Sequence, residues 1–442
     1  MTNPFLQVLL FLFAGIVLII LLTARWRVHP FFALLIACFV VGLGVQMPVA
    51  GILTAIKNGF GHIMQSLGLI IVLGTTLGVL LEHSGCTRVM ANFILKKTGE
   101  KKAPLAMSLT GFIVGLPVFC DSGYIVLSGL NQSLAKRTGI SVAIMAVSLA
   151  TGLYAVHCLL PPHPGAAAAA VTTGVDFGKL IAVGMAVAIP GMLAGHLWAR
   201  YAGKQIPHVA AEEEHIMGRA AAPHVFMAFL PVLVPVLLIA VNSFFALEKN
   251  GGQAVHKIFA VLGEPAIALA VGVLLVFTSV RSWTIQTISK QLQEGAEKAG
   301  GILVIIGAGG AFGAVLAATK IGEHFGQSLN LGSMGIFFPF LLAFILKTAQ
   351  GSSTVAIITA ASIIQPLLPA LGLNSENGKL LAVLSMGAGS MMISHANDAY
   401  FWVISKFSGL EMRPMLKVYS LATVWMGLVT LLVVYILSLL LL

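Results

Sequence analysis

The run Phe337-Phe338-Pro339-Phe340-Leu341-Leu342-Ala343-Phe344-Ile345-Leu346-Lys347-Thr348-Ala349-Gln350-Gly351-Ser352-Ser353-Thr354 decides the fold. It starts as a strongly apolar helix, sets a lysine at its deep end and breaks into small hydrogen-bonding residues. It then resumes as Val355-Ala356-Ile357-Ile358. Such a break leaves backbone groups without helical partners. At membrane depth that backbone is tolerated only where it is buried in protein or lines a wet cavity. The run therefore reads as a hairpin, about 334–370, whose tip faces a polar site. A second run of the same kind lies at about 104–133, interrupted by Gly115-Leu116-Pro117-Val118-Phe119-Cys120-Asp121-Ser122-Gly123.

The surrounding composition identifies the solvent. Of 442 residues, 58% are hydrophobic and only 9% are charged, with mean hydropathy +0.99. A soluble domain carries about 25% charged residues, so a chain this apolar has no soluble way to hide its surface. Apolar stretches near 5–22, 29–47, 63–81, 104–130, 140–160, 178–198, 224–246, 258–280, 300–318, 334–370, 379–395 and 418–441 approach or exceed spanning length. The first lacks a basic lead-in and a small-residue cleavage site, and reads as a retained helix. The net charge of +10 sits in short clusters such as Lys96, Lys97, Lys101 and Lys102. Those clusters are topology signals rather than a nucleic-acid footprint. Cys38, Cys86, Cys120 and Cys158 show no CxxC spacing and read as free thiols, with no zinc site.

The halves repeat one order. Leu73-Gly74-Thr75-Thr76-Leu77-Gly78-Val79-Leu80 matches Ala308-Gly309-Gly310-Ala311-Phe312-Gly313-Ala314-Val315. Each is followed by a hairpin and then by a helix that breaks around histidine, at 157–165 and 394–398. A polar segment from Arg200 to Pro223, containing Glu212, Glu213 and Glu214, separates them. The division is 1–200, a cytoplasmic linker 201–223, and 224–442. Arg25 and Arg27, the loop from Arg88 to Lys102, Lys136-Arg137, Arg281 to Lys298 and Lys406 to Lys417 all read as cytoplasmic. Basic clusters on both sides of 104–133 make that segment enter and leave on one face, as a re-entrant hairpin does. The same count makes 63–81 and 300–318 run in opposite directions. The expected fold is an all-α integral membrane protein: a polytopic helical bundle of two inverted repeats, each with a re-entrant hairpin and a broken helix. That plan is common in secondary transporters.

Few residues can carry chemistry in such a chain. Asp121 and Asp398 lie in apolar surroundings, where an ionised side chain costs at least ~2.5–3.5 kcal/mol unless it is paired or wet. Either could serve function or close a structural ion pair. Lys347 needs a counter-charge, from Asp121, from Asp398 or from a substrate carboxylate; the bland reading is a lysine snorkelling to the interface. The N–H groups at the start of the helix after Gln350-Gly351-Ser352-Ser353-Thr354 would attract an anion, and Asp121-Ser122-Gly123 holds the matching place in the first half. His163, inside Pro161-Pro162-His163-Pro164-Gly165, and the cluster Ser394-His395-Ala396-Asn397-Asp398 complete the set of polar breaks. A lone histidine is more often a packing residue. An intramembrane hydrolase would want a GxSxG-type elbow, which is missing. A metal enzyme would want ligands at helical spacing rather than across a proline break. Duplicated polar sites suit alternating access better than an open channel.

At these motifs the chain resembles the gluconate permease (GntP-type) family of gluconate:proton symporters, within the larger ion transporter superfamily. Gly111-Phe112 with Gly115 through Gly123, His157 through Gly165, Lys347 through Thr354, and Ser394 through Asp398 carry the resemblance, which covers nearly the whole chain. Some members of the family have Glu at the position of Asp121. The resemblance implies a transporter, not an enzyme, that imports gluconate or a related sugar acid into a bacterium across its inner membrane by proton symport. Relatives carry idonate, fructuronate, glycerate or D-serine, and sodium is the alternative coupling ion. It also implies a homodimer and elevator-type motion. The expected substrate site takes the carboxylate at Gln350, Gly351, Ser352, Ser353, Thr354 and Lys347. The substrate hydroxyls meet Asp121, Ser122, Gly123, His163, His395 and Asn397, and Asp121 or Asp398 carries the proton. No cofactor or metal is expected.

Overall fold

The computed structural model describes residues 4–99, 102–206, 223–247, 253–279, 283–319, 334–395 and 398–442. Among them the chain is helical, with no strand. The first half comprises α1 (Pro4–Ile20), α2 (Pro30–Gly44), α3 (Val49–His83), α4 (Cys86–Thr98), α5 (Ala103–Val114), α6 (Cys120–Thr138), α7 (Val142–Leu159), α8 (Pro164–Thr173) and α9 (Phe177–Gly203). The second comprises α10 (Val225–Leu247), α11 (Gln253–Leu262), α12 (Pro265–Ser279), α13 (Ile285–Ala318), α14 (Phe337–Gln350), α15 (Ser353–Ile364), α16 (Glu376–Met391), α17 (Ala399–Ser408) and α18 (Leu421–Leu441). Among the described residues, five segments are long and apolar enough to cross a membrane: Val49–His83, Val142–Thr173, Phe177–Gly203, Ile285–Ala318 and Met412–Leu441.

Packing is matched between the halves. α5 lies parallel to α7: Ser108 Oγ donates to the Ser148 carbonyl at 2.8 Å, and Gly115 sits against Val156. α14 lies parallel to α16: Ser385 Oγ donates to the Ile336 carbonyl at 2.5 Å, and Gly389 faces Phe340 and Phe344. The glycine runs recognised as repeats press on the hairpin of their own half. Gly78 approaches the Pro117 carbonyl, and Gly309 accepts a 2.7 Å hydrogen bond from Ser362 Oγ of α15. The two long helices cross antiparallel, with Gly59 facing Gly310 and Thr76 facing Gly295. α9 and α18 also run antiparallel, Gly191 against Thr430 and Trp198 Nε1 donating to the Lys417 carbonyl at 3.1 Å. A Cβ at these crossings would meet backbone or side-chain atoms, which is why small residues occupy them.

Two expectations need correction. The apolar stretches 63–81 and 300–318 are only the C-terminal parts of longer helices; α3 has 35 residues and α13 has 34. At 1.5 Å per residue each reaches about 50 Å, well past a ~30 Å hydrocarbon core. Their polar residues lie on one exposed face, Lys57, Asn58, His62 and Gln65 on α3 and Gln286, Lys290, Gln293 and Glu297 on α13, so the charge marks a wet helix face. Likewise most of the Arg88–Lys102 loop is α4. Cys86, Met90 and Ile94 recur every four residues and are buried, while the basic residues project outward.

Candidate functional site

Each half contributes two interruptions, between α5 and α6, α7 and α8, α14 and α15, and α16 and α17. Local chemistry places them. Gly351 takes a left-handed conformation (φ +82°), which ends α14 and turns the chain. Ser352 then caps α15, accepting from the Val355 N–H at 3.3 Å. Asp398 caps α17, accepting from the Tyr400 N–H at 3.0 Å. Prolines 161 and 162 stop α7, and Pro164 suits the first position of α8.

A cavity of about 360 Å³ opens where the interruptions meet. Its lining includes the first residue of each helix that follows a break: Cys120 of α6, Pro164 of α8, Ser353 of α15 and Ala399 of α17. Four helix N-termini therefore converge on one space. Each brings the positive end of a helix dipole to it, and those of α15 and α17 are already partly capped, by Ser352 and by Asp398. Asp121, Gly351, Ser352, Thr354 and Asp398 also line it.

The two carboxylates are held differently. Lys347 is fully buried (0% exposed), and its Nζ donates to Asp398 Oδ2 at 2.6 Å and to the Gly351 carbonyl at 2.6 Å. Ser394 Oγ also donates to Asp398 Oδ2. The lysine thus closes an internal ion pair, does not snorkel, and does not line the cavity. Asp121, by contrast, has no ion-pair partner among the described residues. Its contact is the neighbouring Cys120 thiol, at 3.8 Å.

The other expected residues divide. His163 is buried behind the wall, donating through Nε2 to the Gly115 carbonyl at 2.6 Å, and so ties α8 to the end of α5. His395 donates to the Thr348 carbonyl at 3.3 Å. Gly123 packs against Leu153, and neither it nor Ser122 lines the cavity. The Gln350 side chain and all of Asn397 lie outside the described residues.

Among the lining residues outside the expected site, three carry polar groups or ring pairs that bridge elements. His157 shares a 3.3 Å hydrogen bond with Thr354 Oγ1, linking the halves across the cavity. Tyr154 and Tyr400 lie against each other with centroids 5.7 Å apart, 29° from parallel. Only the histidine carried a sequence signal, its place at a break. A tyrosine in an apolar helix looks like any core aromatic.

Comparison with known proteins decides the family. A family model described as "GntP family permease" matches residues 7–440. The chain belongs to the GntP permease family. Among GntP-type relatives, a gluconate permease of Pseudomonas aeruginosa is 33% identical over 96% of each chain. The D-serine transporter DsdX of Escherichia coli is 30% identical over 93% of this chain and 94% of that one. In fold, this permease is similar to the Alcanivorax borkumensis YdaH transporter, with a TM-score of 0.66 at 14% identity over 87% of this chain and 88% of that one. The chain is thus a membrane transporter and not an enzyme. Within this GntP-type chain, the cavity gathers Asp121, Ser352, Ser353, Thr354 and Asp398 from both halves.

Proposed function

We propose that the chain imports gluconate or a related sugar acid by proton symport through a bacterial inner membrane, with the carboxylate held among the four helix N-termini. The convergence of those N-termini with Ser352, Ser353 and Thr354 is the observation that carries the anion site. Asp121 carries the coupling proton. With Lys347 satisfied by Asp398, the ionisable groups on the cavity leave Asp121 as an uncompensated negative charge. Two like charges about 4 Å apart repel by about 4 kcal/mol at the effective dielectric of such a site. A substrate anion is therefore accepted once Asp121 has taken a proton, and the two are carried together. Lys347 acts by pairing with Asp398 at the cap of α17.

Alternating access follows from two inverted repeats, 1–200 and 224–442, joined by the linker 201–223. The re-entrant hairpins are α5–α6 and α14–α15. The antiparallel α3–α13 crossing and the matched parallel packing of α5 on α7 and α14 on α16 support that reading. We assign elevator-type movement within a homodimer on the same basis as the family resemblance.

A specific observation favours a second reading. An unpaired carboxylate also suits an ammonium, so a small zwitterionic amino acid could use Asp121 as its counter-charge, and DsdX is a D-serine transporter.

Uptake of labelled gluconate into proteoliposomes, under an inward proton gradient without sodium, tests the proposal. Accumulation that an uncoupler abolishes is expected. Uptake that requires sodium moves the coupling to a cation site. Uptake of D-serine but not gluconate selects the zwitterion reading.

A further inference from the structure

The cavity lining divides by chemistry. Its polar atoms come from the helix N-termini, Asp121, Asp398, His157 and the Ser352–Thr354 hydroxyls; much of the rest is carbon, from Phe119, Tyr154, Ile302, Ile305, Ile358 and Tyr400. The two tyrosines are built to present carbon. Tyr154 Oη donates to the Ser390 carbonyl at 3.2 Å, and Tyr400 Oη donates to the Ala150 carbonyl at 3.3 Å, so both hydroxyls are committed to backbone on other helices. Both residues are at most 2% exposed, so each shows the cavity only a small part of its ring, and the half-buried Phe119, Ile302 and Ile305 supply more of the carbon. The two tyrosine rings are buttressed by Tyr419, which meets Tyr400 at 5.9 Å and 86° and Tyr154 at 6.5 Å and 61°. Tethered at the hydroxyl and braced at the ring, they cannot withdraw without breaking those contacts.

We infer that Tyr154 and Tyr400, with Ile302 and Ile305 of α13, form a fixed carbon wall that reads the length of the substrate's carbon chain and selects sugar acids of five or six carbons over three-carbon acids. The inference rests on the reading of the N-termini as the carboxylate site. A three-carbon acid is used up by the polar groups. A longer acid still has C–H surface to lay against ring and isoleucine carbon, and that surface leaves water on binding.

The test is uptake by the reconstituted full chain of labelled gluconate and labelled glycerate, compared as a ratio of kcat/KM. Wild type is expected to favour gluconate by ~30-fold, the order expected when roughly 80 Å² of C–H surface leaves water on binding. Tyr154→Leu and Tyr400→Leu each lower that ratio by ~3-fold. Tyr154→Phe and Tyr400→Phe keep the ring and keep the ratio. Ile302→Ala and Ile305→Ala lower it in the same direction, and serve if a leucine variant does not fold, because α13 has an exposed face. A ratio unmoved by the leucine and alanine variants overturns the wall. So does a ratio that collapses equally in the phenylalanine variants, which would make the hydroxyls responsible. Wild type that transports neither acid refutes the functional reading itself; wild type that transports both equally refutes the wall alone.

Discussion

The two halves close the same joint with different chemistry. In each, the residue capping the second part of the broken helix reaches back to the end of the hairpin's first arm. In the first half His163 donates to the Gly115 carbonyl, a single bond at 2.6 Å without a formal ion pair. In the second half Asp398 meets Lys347 at 2.6 Å, and the lysine also holds the Gly351 carbonyl. The architecture is shared, so the difference lies in charge. The second half neutralises its own carboxylate internally, whereas the first leaves Asp121 unpaired at the cavity. One fold thus yields an ion-paired joint on one side and, on the other, a carboxylate at the cavity that we propose exchanges the coupling proton.

Breaking the ionic joint should have the largest effect. Lys347→Met strands the Asp398 carboxylate, at a cost of about 3–5 kcal/mol for an unpaired buried charge. The purified variant should lose thermal stability or fail to leave the detergent extract as a single species on size exclusion. Adding Asp398→Asn should restore much of that stability without restoring transport, because α17 still lacks its ionised cap. Asp121→Asn should have the opposite profile: normal stability, with accumulation reduced to equilibration although substrate exchange between the two sides continues. A variant that still accumulates substrate against its gradient would remove Asp121 as the proton carrier. His163→Ala breaks the neutral joint and should cost less than the lysine change, about 1–3 kcal/mol for one buried hydrogen bond left unmade. If it proves more damaging than Lys347→Met, the comparison of the joints is wrong. Thr354→Val, which removes the hydroxyl shared with His157, should weaken apparent gluconate affinity by about fivefold, the worth of a hydrogen bond of roughly 1 kcal/mol.

Much of this plan is legible in the sequence, for a physical reason. Breaks in apolar helices must be made from proline, glycine and small polar residues, so Pro161-Pro162, Gly351-Ser352 and Gly115-Leu116-Pro117 mark three of them directly. Lys347 betrays itself because a charge cannot stand alone in an apolar run. Its partner stays open between two aspartates and a substrate carboxylate, since only the folding of α14 beside α17 selects Asp398. The lengths of α3 and α13 were obscured because a wet helix face and a loop have similar composition. Tyr154 and Tyr400 gave no signal, because what sets them apart is where their hydroxyls are tied, a contact between residues as distant in sequence as 150 and 400.

The most direct test of the charge account is gluconate affinity of the purified protein as a function of pH, for wild type beside Asp121→Asn. If the anion is accepted only when Asp121 holds a proton, wild-type affinity should fall as pH rises above the range in which that carboxyl is protonated. The fall should approach about tenfold per pH unit, and the asparagine variant should bind with little dependence on pH. A wild-type affinity that is flat with pH, or a slope that persists unchanged in Asp121→Asn, would contradict the assignment of the coupling proton to Asp121.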